Sequence, residues 1–238
     1  MEYIVVLIVC IIVILVLKFG FNIKIKDFKK IKEIGYDKKL NEITNKLPNN
    51  KEVCEEILKI VGNNNVEIET NDDDKDKTLS YYSVLTNKIT IASINDTFTR
   101  IQTIAHECLH SVQSKRMLMF NFIFSNIYIF YFVIVLLLTI FKVIKNPLIW
   151  LIILIILGVI YYAIRSFLET DAMTKAPYVA KEYIEKTEKL SNEEINKVMQ
   201  NYEFLNRIGI PMTNFQILAS TIVKNIIYLL IIVMQVIF

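Results

Sequence analysis

The chain holds only two histidines, and both fall in one pentapeptide, His106-Glu107-Cys108-Leu109-His110. On an α-helix, residues four apart lie one turn along and about 40° around the axis, so two imidazoles at this spacing can face one metal ion. A glutamate directly after the first histidine stands where it can hold a water on that metal and take its proton. The pattern points to metal-assisted hydrolysis, with His106 and His110 as ligands of one Zn²⁺ ion and Glu107 as general base. Zinc is assigned from the motif and the ligand types. The plainer alternative is a helix with two surface histidines and an unrelated glutamate.

Catalytic zinc usually has three protein ligands and an open fourth position. The sequence has no third histidine and no CxxC, and Cys108, two residues from His106, points elsewhere on the helix. The third ligand must therefore be a carboxylate. Glu169 and Asp171, in Phe167-Leu168-Glu169-Thr170-Asp171-Ala172, are the best candidates. Glu67, Glu69 and residues 72–74 are less constrained. Asp171 suits the role of orienting a ligand histidine better than that of binding the metal. The opposing reading makes Glu169 an interfacial charge paired with Arg165.

Several elements must position these groups. Phe98, Ile101, Ala105, Cys108 and Val112 recur at steps of three and four and form one apolar stripe, which predicts a helix over about 96–114 capped by Asn95 or Asp96. Thr103, His106, His110 and Gln113 lie on another face. Upstream, 51–61 reads as a helix ended by Gly62. Residues 66–70, 79–85 and 88–92 read as strands, the last two around Thr86-Asn87, and strand 88–92 is a candidate to align an extended substrate. Downstream, residues 165–213 read as helical. Pro177 suits a first helical turn, Ser191 with Glu194 has the spacing of a capping box, and Gly209 and Pro211 read as a stop.

Apolar blocks set the frame. Of 238 residues, 54% are hydrophobic, and mean hydropathy is +0.43. That excludes a disordered chain and a purely soluble enzyme. The expected organisation is a transmembrane helix at 3–22, a soluble part at 23–116, a transmembrane hairpin at 117–164, a helical soluble part at 165–213 carrying the third ligand, and a transmembrane helix at 214–238. The fold class is thus a mostly helical α+β multi-pass membrane protein with about four spans and a short β-sheet. Each span is long enough for a hydrocarbon core of ~30 Å. The link 142–146 forces the two hairpin helices to be neighbours, and so brings Glu169 toward the histidines. Lysines cluster after the first block and none precedes it, which places the soluble parts and the active site on the cytoplasmic side. Lys224, inside the last block, is expected to snorkel to the near interface.

Net charge is +3, with no basic stripe, so no nucleic-acid partner is expected. Three cysteines are too few for a disulfide framework, and Cys10 and Cys108 read as small apolar residues. The partners implied are a peptide or protein substrate, possible membrane association of that substrate, and the lipid bilayer.

The segment Thr103-Ile104-Ala105-His106-Glu107-Cys108-Leu109-His110-Ser111-Val112-Gln113, with Glu169-Thr170-Asp171-Ala172 after a membrane hairpin, resembles the neutral zinc metallopeptidases of bacterial membranes, the YugP-like family of gluzincin type. That resemblance implies a small zincin-like cytoplasmic domain in a bacterial plasma-membrane protein. It implies zinc on His106, His110 and Glu169, with Glu107 as general base. Leu109 and Ser111 stand where the family has Gly and Ala, and Ser80-Tyr81-Tyr82-Ser83 replaces its His-Tyr-Asp-Pro stretch. Those departures motivate an alternative function, a catalytically inactive, zinc-stabilised membrane scaffold or accessory protein. A transporter is disfavoured, since Lys224 is the one charge well inside a block.

Overall fold

The computed structural model describes residues 11, 15, 18–23, 25–35, 37–71, 79–94 and 97–237. The expected first transmembrane helix and the expected caps Asn95 and Asp96 fall largely or wholly outside them. The chain divides into two compact units: residues 1–113 with 171–212, and residues 114–170 with 213–238.

The first unit opens with α1 (Ile25–Gly35), α2 (Lys38–Thr44) and α3 (Asn50–Ile60). Asn49 caps α3 by accepting the Glu52 N–H at 2.9 Å. The helix ends as the sequence suggests, with Gly62 at φ +77°, a left-handed value glycine takes without strain. Three strands follow, β1 (Glu67–Thr70), β2 (Tyr81–Ser83) and β3 (Lys88–Ile91), in the order β1-β3-β2. β3 runs parallel to β1 and antiparallel to β2, with Ile89 opposite Ile68 and Tyr82. Strand 88–92 was expected to pair with substrate. It lies in the middle of the sheet with both edges taken, so it cannot. Asn87 makes the β2–β3 turn at φ +51°, held by the Tyr82 hydroxyl at 2.9 Å.

α4 (Arg100–Val112) follows the sheet. It begins later than the expected start near residue 96, because residues 97–99 form a turn. Phe98, Ile101, Ala105 and Cys108 are fully buried as the stripe requires, joined by Ile104. Val112 departs from it at 43% exposure. The stripe packs in one core with Val53, Ile57, Ile89 and Ile91.

Two expected helix boundaries do not exist. Pro177 lies inside α6 (Pro147–Thr187), and Gly209 and Pro211 lie inside α7 (Asn192–Ile237). Proline lacks the N–H that would reach the carbonyl four residues back, a large local cost. At Pro177 that carbonyl belongs to Met173, and the Asn206 side-chain amide donates to it instead. Gly209 serves close approach: a Cβ there would sit 3.1 Å from the Met173 methyl. The capping box at the start of α7 forms, with Ser191 N–H on Glu194 Oε2 at 3.0 Å and Glu194 N–H on Ser191 Oγ at 3.3 Å.

The second unit holds α5 (Lys115–Ile140), the first part of α6 and the last part of α7. These three helices are long and apolar enough to cross a membrane. Phe130, Ile152 and Val159 are exposed, as lipid-facing residues are, and the chain is a membrane protein. Inside, Tyr128, Val135, Leu154 and Tyr228 form a small core. Gly158 sits where a Cβ would lie 3.0 Å from the Tyr128 hydroxyl and 3.1 Å from Thr221. Lys224 bends back one turn, its ammonium 2.8 Å from Ser220 Oγ, in the snorkelling direction expected of it.

Candidate metal centre

α4 is held at both ends before any ligand is considered. At its start Arg100 is 3% exposed. Its guanidinium donates to the carbonyls of Thr44 (2.8 Å), Leu47 (3.0 Å) and Pro48 (2.8 Å) and to Asn50 Oδ1 (3.2 Å). Those carbonyls lie at the end of α2 and in the turn beyond, where a helix leaves acceptors unmatched. The Phe98 N–H donates to Asn41 Oδ1 at 2.8 Å, and the Phe98 carbonyl accepts from the Tyr202 hydroxyl at 2.7 Å. Sequence reasoning missed Arg100; an arginine flanked by the core positions Phe98 and Ile101 was the available signal.

At the other end Asn63 donates to Ser111 O at 3.0 Å and to Ser111 Oγ at 3.1 Å. Leu109 is 8% exposed within the aliphatic core, so the larger residue at that position is accommodated by packing. Cys108 Sγ lies 3.6 Å from Cys54 Sγ, and both thiols are free. Burial, with Cys54 beside it, pushes the Cys108 thiol well up, so it is a packed apolar group rather than a ligand.

The polar face of α4 carries the histidines. His106 Nε2 and His110 Nε2 are 3.0 Å apart, with ring centroids 4.5 Å apart and planes at 86°. The two nitrogens stand within hydrogen-bond distance of each other, close enough for one cation to reach both. For metal–ligand bonds of about 2.0–2.2 Å, a tetrahedral pair would stand roughly 3.3–3.6 Å apart.

The proton on His110 can be placed from its neighbours. Asp171 Oδ2 lies 2.9 Å from Gln113 Nε2, and Asp171 Oδ1 lies 2.5 Å from Lys175 Nζ. Burial alone would raise the Asp171 carboxyl. Hydrogen bonds from Lys175 and Gln113, with the Lys175 charge, outweigh it and hold the group below the usual carboxylate range. An ionised carboxylate only accepts, so the Gln113 amide must turn its NH₂ toward Asp171. Its Oε1 then faces His110 Nδ1 at 2.8 Å and must accept that proton. His110 thereby carries its proton on Nδ1, and in the neutral ring the lone pair is on Nε2, on the His106 side.

Asp171 is expected to orient a ligand histidine, and Gln113 stands between it and His110. Nothing in the spacing distinguishes a direct from a relayed contact, since 58 positions separate Gln113 from Asp171.

Glu169 is 9% exposed on α6. His106, His110 and Glu169 each bring one ligand atom to within 4.8 Å of the others, a group that could hold a metal ion. Two nitrogens and one carboxylate oxygen suit zinc, among other divalent ions. The alternative ion pair is present too, with Arg165 Nη2 at 2.7 Å from Glu169 Oε1. The two arrangements are compatible, since a carboxylate has a second oxygen. Glu107, beside His106, is 7% exposed. The less constrained acids are elsewhere: Glu67 and Glu69 pair with Lys88 at 3.4 and 2.6 Å, and residues 72–74 lie outside the described residues. No family model, curated protein or solved structure matches the chain significantly.

Proposed function

We propose that the chain is a membrane-anchored zinc-dependent metallopeptidase, similar to the YugP-like family, that hydrolyses peptide bonds on the cytoplasmic side of a bacterial plasma membrane. One observation carries this reading: His106, His110 and Glu169 converge within 4.8 Å while Glu107 adjoins the first of them. His106, His110 and Glu169 would hold one Zn²⁺. Such an ion, when bound, polarises a carbonyl and lowers the pKa of a water toward about 7.

The chain's own groups supply the rest. The Glu107 carboxylate takes the proton of the attacking water and passes it to the departing amine, so that each turnover returns it to the ionised state. Gln113, backed by Asp171 and Lys175, keeps His110 in the tautomer that offers Nε2. Arg165 restrains the Glu169 carboxylate. With β3 enclosed, β2 offers an edge on which an extended peptide could pair, its Tyr81 side chain exposed.

The decisive experiment compares zinc content and peptide cleavage of the detergent-purified chain with those of Glu107→Gln. The expected result is one zinc per chain in both, with cleavage reduced by at least about a hundred-fold in the variant. Equal cleavage by the two proteins would refute the mechanism.

A second reading, the zinc-stabilised scaffold without catalysis, has one observation in its favour. Tyr81 and Tyr82 are the candidates to steady a developing oxyanion, and Tyr82 commits its hydroxyl to Asn87. On that reading Glu107→Gln leaves cellular function intact and His106→Ala abolishes it.

A further inference from the structure

We propose that a second site, built from the start of α1 and the middle of α7, binds the phosphodiester head group of an anionic phospholipid. Both segments belong to the first unit, and the inference is independent of the metal centre.

Between them lies a cavity of about 340 Å³. That is room for a phosphate with its glycerol, at the small end of ligand pockets. Its charged wall is Lys26, Arg207 and Asp27. Two cations and one acid leave one net positive charge, the complement of a phosphodiester's single negative charge. A third cation stands close by: Lys30 Nζ is 4.2 Å and Arg207 Cζ 5.3 Å from the centroid of the same Phe204 ring. The first turn of α1 also lies in the wall, adding the positive end of a helix dipole.

Phe21, Ile23, Ile208 and Pro211 also line the cavity. Asn22, at φ +53°, turns the chain between Phe21 and α1 and so shapes the lining there. The cavity falls where the sequence itself changes character. Phe21 closes the first apolar run, and Phe215, four residues past Pro211, opens the last one. A lining that mixes cations with Phe21, Ile23, Ile208 and Pro211 suits a ligand carrying both a charge and hydrocarbon, whereas a free phosphate would engage the cations alone. Basic pockets at the ends of membrane helices recognise lipid head groups by this combination.

The test is native mass spectrometry of the full detergent-solubilised chain titrated with phosphatidylglycerol or phosphatidylcholine. The expected result is at least about a ten-fold preference for phosphatidylglycerol. Lys26→Gln with Arg207→Gln should abolish that preference, while Arg207→Lys alone should keep most of it, which separates lost recognition from a lost fold. Removing two exposed cations elsewhere, Lys39→Gln with Lys197→Gln, should leave it unchanged. Three results would each overturn the assignment: preference retained in the Lys26 and Arg207 double variant, equal loss in the Lys39 and Lys197 control, or displacement of the lipid by millimolar inorganic phosphate, which would mark a soluble-anion site.

Discussion

The two units contain cores of similar residues held by different physics. In the first, Val53, Ile57, Ile89, Ile101 and Ile104 are each fully buried and would face water if the unit opened. Their burial draws on the full hydrophobic effect, about 25 cal/mol per Å². In the second, Leu154 is equally buried. Separating its helices within a bilayer, however, moves the side chain into hydrocarbon, not water. Only the packing contribution remains, together with a few hydrogen bonds and close contacts at small residues. The difference teaches that equal burial does not mean equal stabilisation, and matched substitutions in the two units can expose it.

The largest contrast is expected from truncating one aliphatic residue in each. Ile104→Ala removes transfer free energy and leaves a cavity, costing about 2–5 kcal/mol. Leu154→Ala leaves a cavity only, and its cost should fall to about 1–2 kcal/mol. Thermal melting in lipid nanodiscs would measure both, and equal losses would break the comparison by showing that the second core is also driven by exclusion of water.

The same difference decides how much could be read from the sequence. Along α4 one face is polar and one is apolar, so apolar residues recur with helical period and Phe98, Ile101, Ala105 and Cys108 were legible as core. The convergence of Glu169 on the histidines was legible too, because a five-residue link leaves two helices little choice but to lie together. In α5 and the start of α6 every face is apolar, and periodicity vanishes. Which side packs is set by Gly158 and Tyr228, which no pattern singles out. Stop signals failed for another reason. Pro177 and Gly209 read as boundaries on local propensity, but Asn206 satisfies the carbonyl that Pro177 frees, and Met173 fills the space Gly209 leaves. Gln113 and Arg100 escaped because their partners are distant in sequence: Asp171 for one, the carbonyls of Thr44, Leu47 and Pro48 for the other.

A glycine pair tests the close-contact part of the argument. At Gly158 a new methyl meets Tyr128 and Thr221 at 3.0–3.1 Å. Gly158→Ala should cost about 1–3 kcal/mol, as overpacking does. Gly35, the last residue of α1, has nothing within 4 Å of the added atom and an ordinary φ. Gly35→Ala should be neutral or stabilise by about 0.4–1 kcal/mol through the unfolded chain. A neutral Gly158→Ala would mean that the helices of the second unit can part at little cost.

The smallest contrast comes from removing one buried phenol oxygen in each unit. Tyr202, fully buried, donates to the Phe98 carbonyl at 2.7 Å. Burial pushes its phenol far up, and the Gln102 backbone hydrogen bonds to the same oxygen. Tyr202→Phe therefore disturbs two backbone groups at the start of α4 and should cost about 1–1.5 kcal/mol, the upper part of the usual range for a hydrogen bond. Tyr228 lies 2.8 Å from Thr139 Oγ1 and donates over a longer 3.3 Å to the Pro147 carbonyl, but the threonine hydroxyl is also 2.8 Å from the Val135 carbonyl. After Tyr228→Phe the threonine keeps a partner in its own helix, and the loss should stay near 0.6 kcal/mol, as for interhelical hydrogen bonds in bilayers. A larger loss at Tyr228 than at Tyr202 would reverse the ranking. It would mean that polar contacts, scarce as they are in the second unit, hold its helices together more firmly than the shape of its packed surfaces does.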